Sequence, residues 1–190
     1  MKNCYFLIFL ILLNSCDLLS TRDPEDPSST RSNFVAATTP EILFQNMVES
    51  FREKIVENYM ACFVDQAFLD TQYSFIPSAG SASQFNILND WSVDLEQQYF
   101  SNVRSIVFEN SPIGLEFSNE ISNPSGESAI YQFDYTLTVP TSDPSVPSSY
   151  QGTVQFNINL DSRQIWVITE WQDTQRDNLP SWSELKGRFY

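Results

Sequence analysis

Two hydrophobic periods divide the chain. Between residues 44 and 63, Phe44, Met47, Val48, Phe51, Ile55, Tyr59, Cys62 and Phe63 recur at three- and four-residue spacing, the stripe of an amphipathic helix. Ahead of it, Thr39 supplies a capping hydroxyl, Pro40 a first-turn proline and Glu41 an acid for the positive helix end. The pattern predicts one long helix over 40–63, with Glu49, Arg52, Glu53 and Glu57 on its solvated face. A second, shorter helix is expected from Ser92, carrying Asp94 and Glu96 in its first turn. Val93, Leu95, Tyr99 and Phe100 are its apolar groups, and Trp91 is placed to staple its start.

Beyond residue 102 the period changes to two. Val103–Glu109 and Ile113–Ile121 read as strands. In Ala129–Val139, Tyr131, Phe133, Tyr135 and Leu137 alternate with Gln132, Asp134, Thr136 and Thr138. Tyr150–Leu160 repeats the design with Val154, Phe156 and Ile158 against Thr153, Gln155 and Asn157. Such alternation predicts antiparallel strands with one buried and one wet face. Gln164–Gln172 is apolar on both faces, which suits a central or doubly covered strand. Between the two regimes, 64–89 loosens into an irregular connection with a short strand near Tyr73–Ile76. A final turn, Pro180–Lys186, offers Trp182 and Leu185 for docking. Helices followed by a strand meander give an α+β class: a long N-terminal helix and a shorter one packed on one face of an antiparallel sheet.

The start of the chain follows different rules. Met1 and Lys2 precede an apolar run, Tyr5–Leu13, and then Leu13-Asn14-Ser15-Cys16, the layout of an export signal. A helix over that run spans only about 14 Å at ~1.5 Å per residue, whereas a bilayer core needs roughly 30 Å. The segment resembles a bacterial lipoprotein signal, and its last four residues resemble the lipobox. That resemblance implies a diacylglyceryl group on the Cys16 thiol, cleavage before Cys16, and acylation of the new amine, typically with palmitate. The expected organisation is a signal over 1–15, a lipidated cysteine and flexible tether over 16–37, and a single domain over 38–190. The tether carries Pro24, Pro27 and a Ser/Thr cluster with little to bury. The implied location is the cell envelope, with the domain outside the cytoplasm and the membrane as a partner through Cys16.

Composition narrows the chemistry. Asp and Glu number 24 against 10 Lys and Arg, a net charge of −14 that repels nucleic acid and anionic head groups. No nucleic-acid partner is expected. The absence of histidine removes His-ligated metals and the usual neutral-pH general base. With 5 Gly there is no phosphate-cradling loop, and no calcium-loop pattern occurs, so neither cofactor nor metal is predicted. Cys4 falls in the signal and Cys16 in the lipobox, which leaves Cys62 as a buried thiol on the helix stripe without a disulfide partner.

The element order over 38–190 resembles the cone-shaped fold of the nuclear transport factor two and SnoaL-like superfamily. The run Gln164-Ile165-Trp166-Val167-Ile168-Thr169-Glu170-Trp171-Gln172-Asp173, followed by Ser181-Trp182-Ser183-Glu184-Leu185-Lys186, is similar to endings common there. The resemblance implies a curved sheet enclosing a pocket, in which such enzymes place a His-Asp pair, an Asp-Arg pair or a tyrosine. Asp134, Tyr135, Arg163 and Glu170 are the corresponding residues to consider, with Asp134 on the polar face of its strand. On the last strand, Trp166, Ile168 and Glu170 share strand parity and form the candidate pocket, where desolvation would raise the Glu170 pKa. No catalytic set is assigned. The expected function is a lipid-anchored envelope protein whose domain binds a small ligand or an envelope protein without catalysis. The alternatives are a structural or assembly lipoprotein, and a SnoaL-like isomerase, cyclase or dehydratase.

Overall fold

The computed structural model describes residues 32–190. Cys16, the signal and the first part of the tether lie outside the described residues. Helix α1 (Pro40–Glu53) starts as the sequence predicts, with the Thr39 hydroxyl accepting from the Ile42 N–H at 3.4 Å. It does not continue to residue 63. Lys54 turns left-handed at φ 57°, and a short α2 (Val56–Met60) follows. A lysine in that conformation is strained by about 1–2 kcal/mol, and tertiary contacts hold it. Its ammonium donates to the carbonyls of Phe108 at 3.0 Å and Glu109 at 2.7 Å. The apolar stripe resumes beyond the break, so Tyr59, Cys62 and Phe63 are buried as expected.

Next come β1 (Ser74–Ile76), α3 (Ala79–Gln84), a 3₁₀ turn (Asn86–Asp90) and α4 (Val93–Ile106). The strand expected over Val103–Glu109 is instead the last turn of α4; only Val107 makes a single bridge, to Thr141. Val103 lies one turn beyond Tyr99 and Phe100 on the buried stripe, so packing outweighs its strand propensity. Strands β2 (Gly114–Ser125), β3 (Ser128–Thr138), β4 (Ser149–Leu160) and β5 (Trp166–Gln175) follow, and α5 (Trp182–Arg188) closes the chain.

The five strands form one curved sheet in the order β1-β5-β4-β3-β2. Its consecutive strands β2 to β5 are antiparallel, but β1 adds to β5 in parallel with Phe75 opposite Trp171, so the sheet is mixed. Strand β5 is therefore interior, which explains its apolar character on both faces. Tyr131, Phe133, Tyr135, Leu137, Val154, Phe156 and Ile158 all point into the core, as their alternation predicts. Residues 33–37, read in sequence as tether, are joined to this domain. Asn46 exchanges hydrogen bonds with the Val35 backbone, Trp166 N–H donates to the Ala37 carbonyl, and Asn33 donates twice to Glu53.

Gly152 of β4 leaves no room for a side chain between β5 and the Tyr135 ring. A Cβ on Gly152 would sit 2.5 Å from the Thr174 carbonyl oxygen and 2.7 Å from the Tyr135 hydroxyl. Gly152→Ala should therefore cost about 1–3 kcal/mol, the usual range for overpacking. Urea melts test this, and a loss below about 0.5 kcal/mol would mean that the β4–β5 pair yields freely.

Candidate functional site

The three residues proposed from strand parity do not share one face. Ile168 pairs with Ile158 and Glu170 with Asn157, so two steps on β5 match one step on β4. Thr169 is the extra residue of a bulge, and its hydroxyl donates to the Asn157 carbonyl and the Asn159 side chain at 3.1 and 2.8 Å. A bulge reverses the facing of everything beyond it. Ile168 is consequently sealed in the core, while Glu170 lies on the opposite, polar face and accepts from Asn157 Nδ2 at 2.7 Å. Trp166 is half-buried against the core. Glu170 does line a groove of about 380 Å³ on the sheet's polar face, beside Gln72, Ile130, Asn157 and Asn159.

The remaining candidates are also engaged. Asp134 is on the wet face as its parity requires; Asn119 and Thr153 donate to it at 2.7 and 2.9 Å and Arg176 pairs with it at 2.6 Å. Those donors, Asn119 foremost, hold its carboxyl below the usual range. Arg163 pairs with Asp161 at 2.6 Å in the β4–β5 turn and lies over the Phe68 ring. Tyr135 is buried, donates to Asp173 Oδ1 at 2.8 Å and accepts from the Trp182 N–H at 2.7 Å.

The interior of the curved sheet is filled. Phe51, Tyr59, Phe100, Trp171 and Trp182 are fully buried, and Phe51 meets Tyr59, Phe100 and Trp182 edge-on at 5.3, 4.9 and 5.4 Å. Within this packing lies a polar pair that the sequence analysis did not single out. Glu96 on α4 and Lys186 on α5 form an ion pair with both side chains 0% exposed. Tyr59, Tyr73 and Trp91 also donate to the Glu96 carboxylate, at 2.8, 2.6 and 2.9 Å. The ammonium of Lys186 sits over the rings of Trp171 and Phe75, 3.6 and 3.8 Å from their centroids. Burial draws the Lys186 pKa down to about 8 against the opposing pull of Glu96. Nearby, Asp173 accepts from Tyr135 and from both the backbone and hydroxyl of Ser183, and burial outweighs these donors in raising its pKa.

The acceptor positions of Glu96 are occupied by donors from four segments: α2, the approach to β1, the approach to α4, and α5. A depression of about 650 Å³ is lined by Phe63, Ser92 and Tyr73, whose hydroxyl donates to the carboxylate of Glu96. Cys62 is as inert as expected, its thiol pushed up to about 12 by burial. Among the described residues no three His, Cys, Asp or Glu converge on a metal position. No helix among them is long and apolar enough to cross a membrane.

The helix-covered, curved sheet matches the cone fold of solved nuclear transport factor two-like proteins. The chain is similar to a candidate aromatic ring hydroxylase from Novosphingobium aromaticivorans, at 12% identity and TM-score 0.55 over 77% of this chain and 92% of that one. A nuclear transport factor two-like protein from Salmonella enterica matches at 12% identity and TM-score 0.52, over 72% and 87%. A candidate dehydratase of that family from Streptomyces avermitilis matches at 7% identity and TM-score 0.52, over 72% and 93%. No protein-family profile and no curated protein sequence matches the chain.

Proposed function

We propose that this is a lipid-anchored protein of the bacterial cell envelope whose cone-fold domain binds a ligand or partner without catalysis. One observation carries the non-catalytic reading: the interior that would serve as an active site is filled with aromatic rings, and its carboxylates, Glu96 and Asp173, are saturated with donors. A general acid or base must be within hydrogen-bond reach of substrate, and neither group has access to solvent. Binding then falls to the outer grooves. The envelope reading rests on the signal-like run ending in Leu13-Asn14-Ser15-Cys16. Over residues 38–190 the domain carries 20 acidic against 7 basic residues, a net charge of −13 that anionic lipid repels.

Labelling of growing bacterial cells with an alkynyl palmitate analogue tests the anchor. The wild-type protein should take up the label and show a mature N-terminus at Cys16 by intact mass. Cys16→Ala should lose the label and accumulate as uncleaved precursor. A mature end elsewhere, without lipid, would refute the proposal.

A further inference from the structure

We propose that the groove between α1 and the β2–β3 hairpin binds a small organic cation, an ammonium group carried on an apolar body. This rests on the binding-domain reading above and gives it a ligand class. The groove encloses about 660 Å³, within the ~300–1,000 Å³ common for small-ligand sites. Its floor is aromatic. Phe44 of α1 packs on Phe133 at 4.9 Å, Tyr131 at 5.0 Å and Phe117 at 6.2 Å between ring centroids. Such rings contribute apolar area and, through their faces, attraction for a cation.

Three further features select charge. Glu41, Glu116 and Glu120 line the groove and are exposed, Glu116 from the polar face of β2 opposite Thr136; among the described residues none of them is in an ion pair. Among the described residues no lysine or arginine lines it. Tyr131, only 7% exposed, lines it too, and among the described residues its hydroxyl has no hydrogen-bond partner. Burial first, then the charges of Glu41 and Glu120, raises the Tyr131 pKa, as expected if both carboxylates act on the phenol. The positive end of α1 opposes a bound cation with about half a unit charge, which the carboxylates of Glu41 and Glu120 outweigh. A bulge between Ser118 and Ile121, with Asn119 at φ 52°, bends β2 beside the groove. An anion is thus repelled and a neutral apolar molecule gains only burial. An ammonium gains burial, ring faces, carboxylates and the phenol oxygen as acceptor.

Titration of the full-length protein in non-ionic detergent with 2-phenylethylammonium, 2-phenylethanol and 3-phenylpropionate, followed by NMR, tests this. The ammonium should bind about tenfold more tightly than the alcohol, a difference of ~1.4 kcal/mol, and the carboxylate should bind more weakly than either. Shifts should centre on Phe117 and Tyr131. The triple variant Glu41→Gln, Glu116→Gln, Glu120→Gln should bring ammonium and alcohol within about twofold of each other, while Glu57→Gln on α2 should leave the preference intact. Should the triple variant fail to fold, salt at roughly 1 M, where the Debye length is about 3 Å, should erase most of the preference in the wild type. Equal affinity for ammonium and alcohol in the wild type, an undiminished preference in the triple variant, or shifts centred on Asn157 and Glu170 would overturn the proposal. Capture of a lysine-bearing peptide without binding of the free amine would do the same. Loss of acylation at Cys16 would not alter these titrations, so failure of the ligand class and failure of the anchor are separately visible.

Discussion

Replacing Glu96 with leucine should cost about 3–5 kcal/mol, the range for removing one partner of a buried ion pair. The loss strands the Lys186 ammonium among rings and leaves the Tyr59 and Tyr73 hydroxyls and the Trp91 N–H without their acceptor. Lys186→Met should cost less, because methionine refills the space over Trp171 and Phe75, and Glu96 keeps three donors. The double variant should be destabilised by clearly less than the sum, since two apolar side chains can replace a buried pair with little net loss. Urea denaturation of the four proteins gives the coupling directly. Additivity within about 0.5 kcal/mol would show that the two residues act independently.

Phe51→Ala should cost a similar ~3–5 kcal/mol, as expected for a fully buried aromatic. Its ring is the hub where α1 meets Tyr59 of α2, Phe100 of α4 and Trp182 of α5. Glu57→Gln, on an exposed position of α2, should stay within about 0.5 kcal/mol. Equal losses at the two sites in the same melts would contradict the assignment of the buried face. Glu53 no longer belongs with Glu57, because its carboxylate receives Asn33 and Asn58 and ties residue 33 to the end of α1.

The strands beyond residue 113 were readable because each repeats a choice between core and water many times, whereas Val103–Glu109 was too short a run to tell a strand from the end of α4. Over β3 and β4 only Leu160, half-buried at the end of its strand, departs from it, and the rest of the buried set follows from parity. What could not be read were single-residue events. The bulge at Thr169 has no glycine or proline to announce it, yet it sends Glu170 to the far side of the sheet from Ile168. The left-handed Lys54 breaks the predicted long helix without interrupting its apolar stripe, since Tyr59, Cys62 and Phe63 resume the spacing. The short parallel strand β1 was placed correctly, but its partner and direction depend on contacts 96 residues away, as in Phe75 opposite Trp171. The buried ion pair, by contrast, left a signal. Glu96 precedes Tyr99, Phe100 and Val103 by three, four and seven residues, and so stands on the apolar stripe rather than at a solvated helix start. Lys186 follows Trp182 by one turn. Charges at core positions of two helices point to each other.

The placement of α5 also sets an order of events. Trp182, Leu185 and Lys186, within the last nine residues, occupy the centre of the domain, and Glu96 has no counter-charge until Lys186 arrives. A chain emerging N-terminus first therefore cannot complete this core until α5 has emerged. For the exported precursor proposed above, that delay keeps the polypeptide threadable through a narrow channel and postpones closure to the far side. Until then the rings that α5 covers are open to other chains, the condition under which partly folded domains associate.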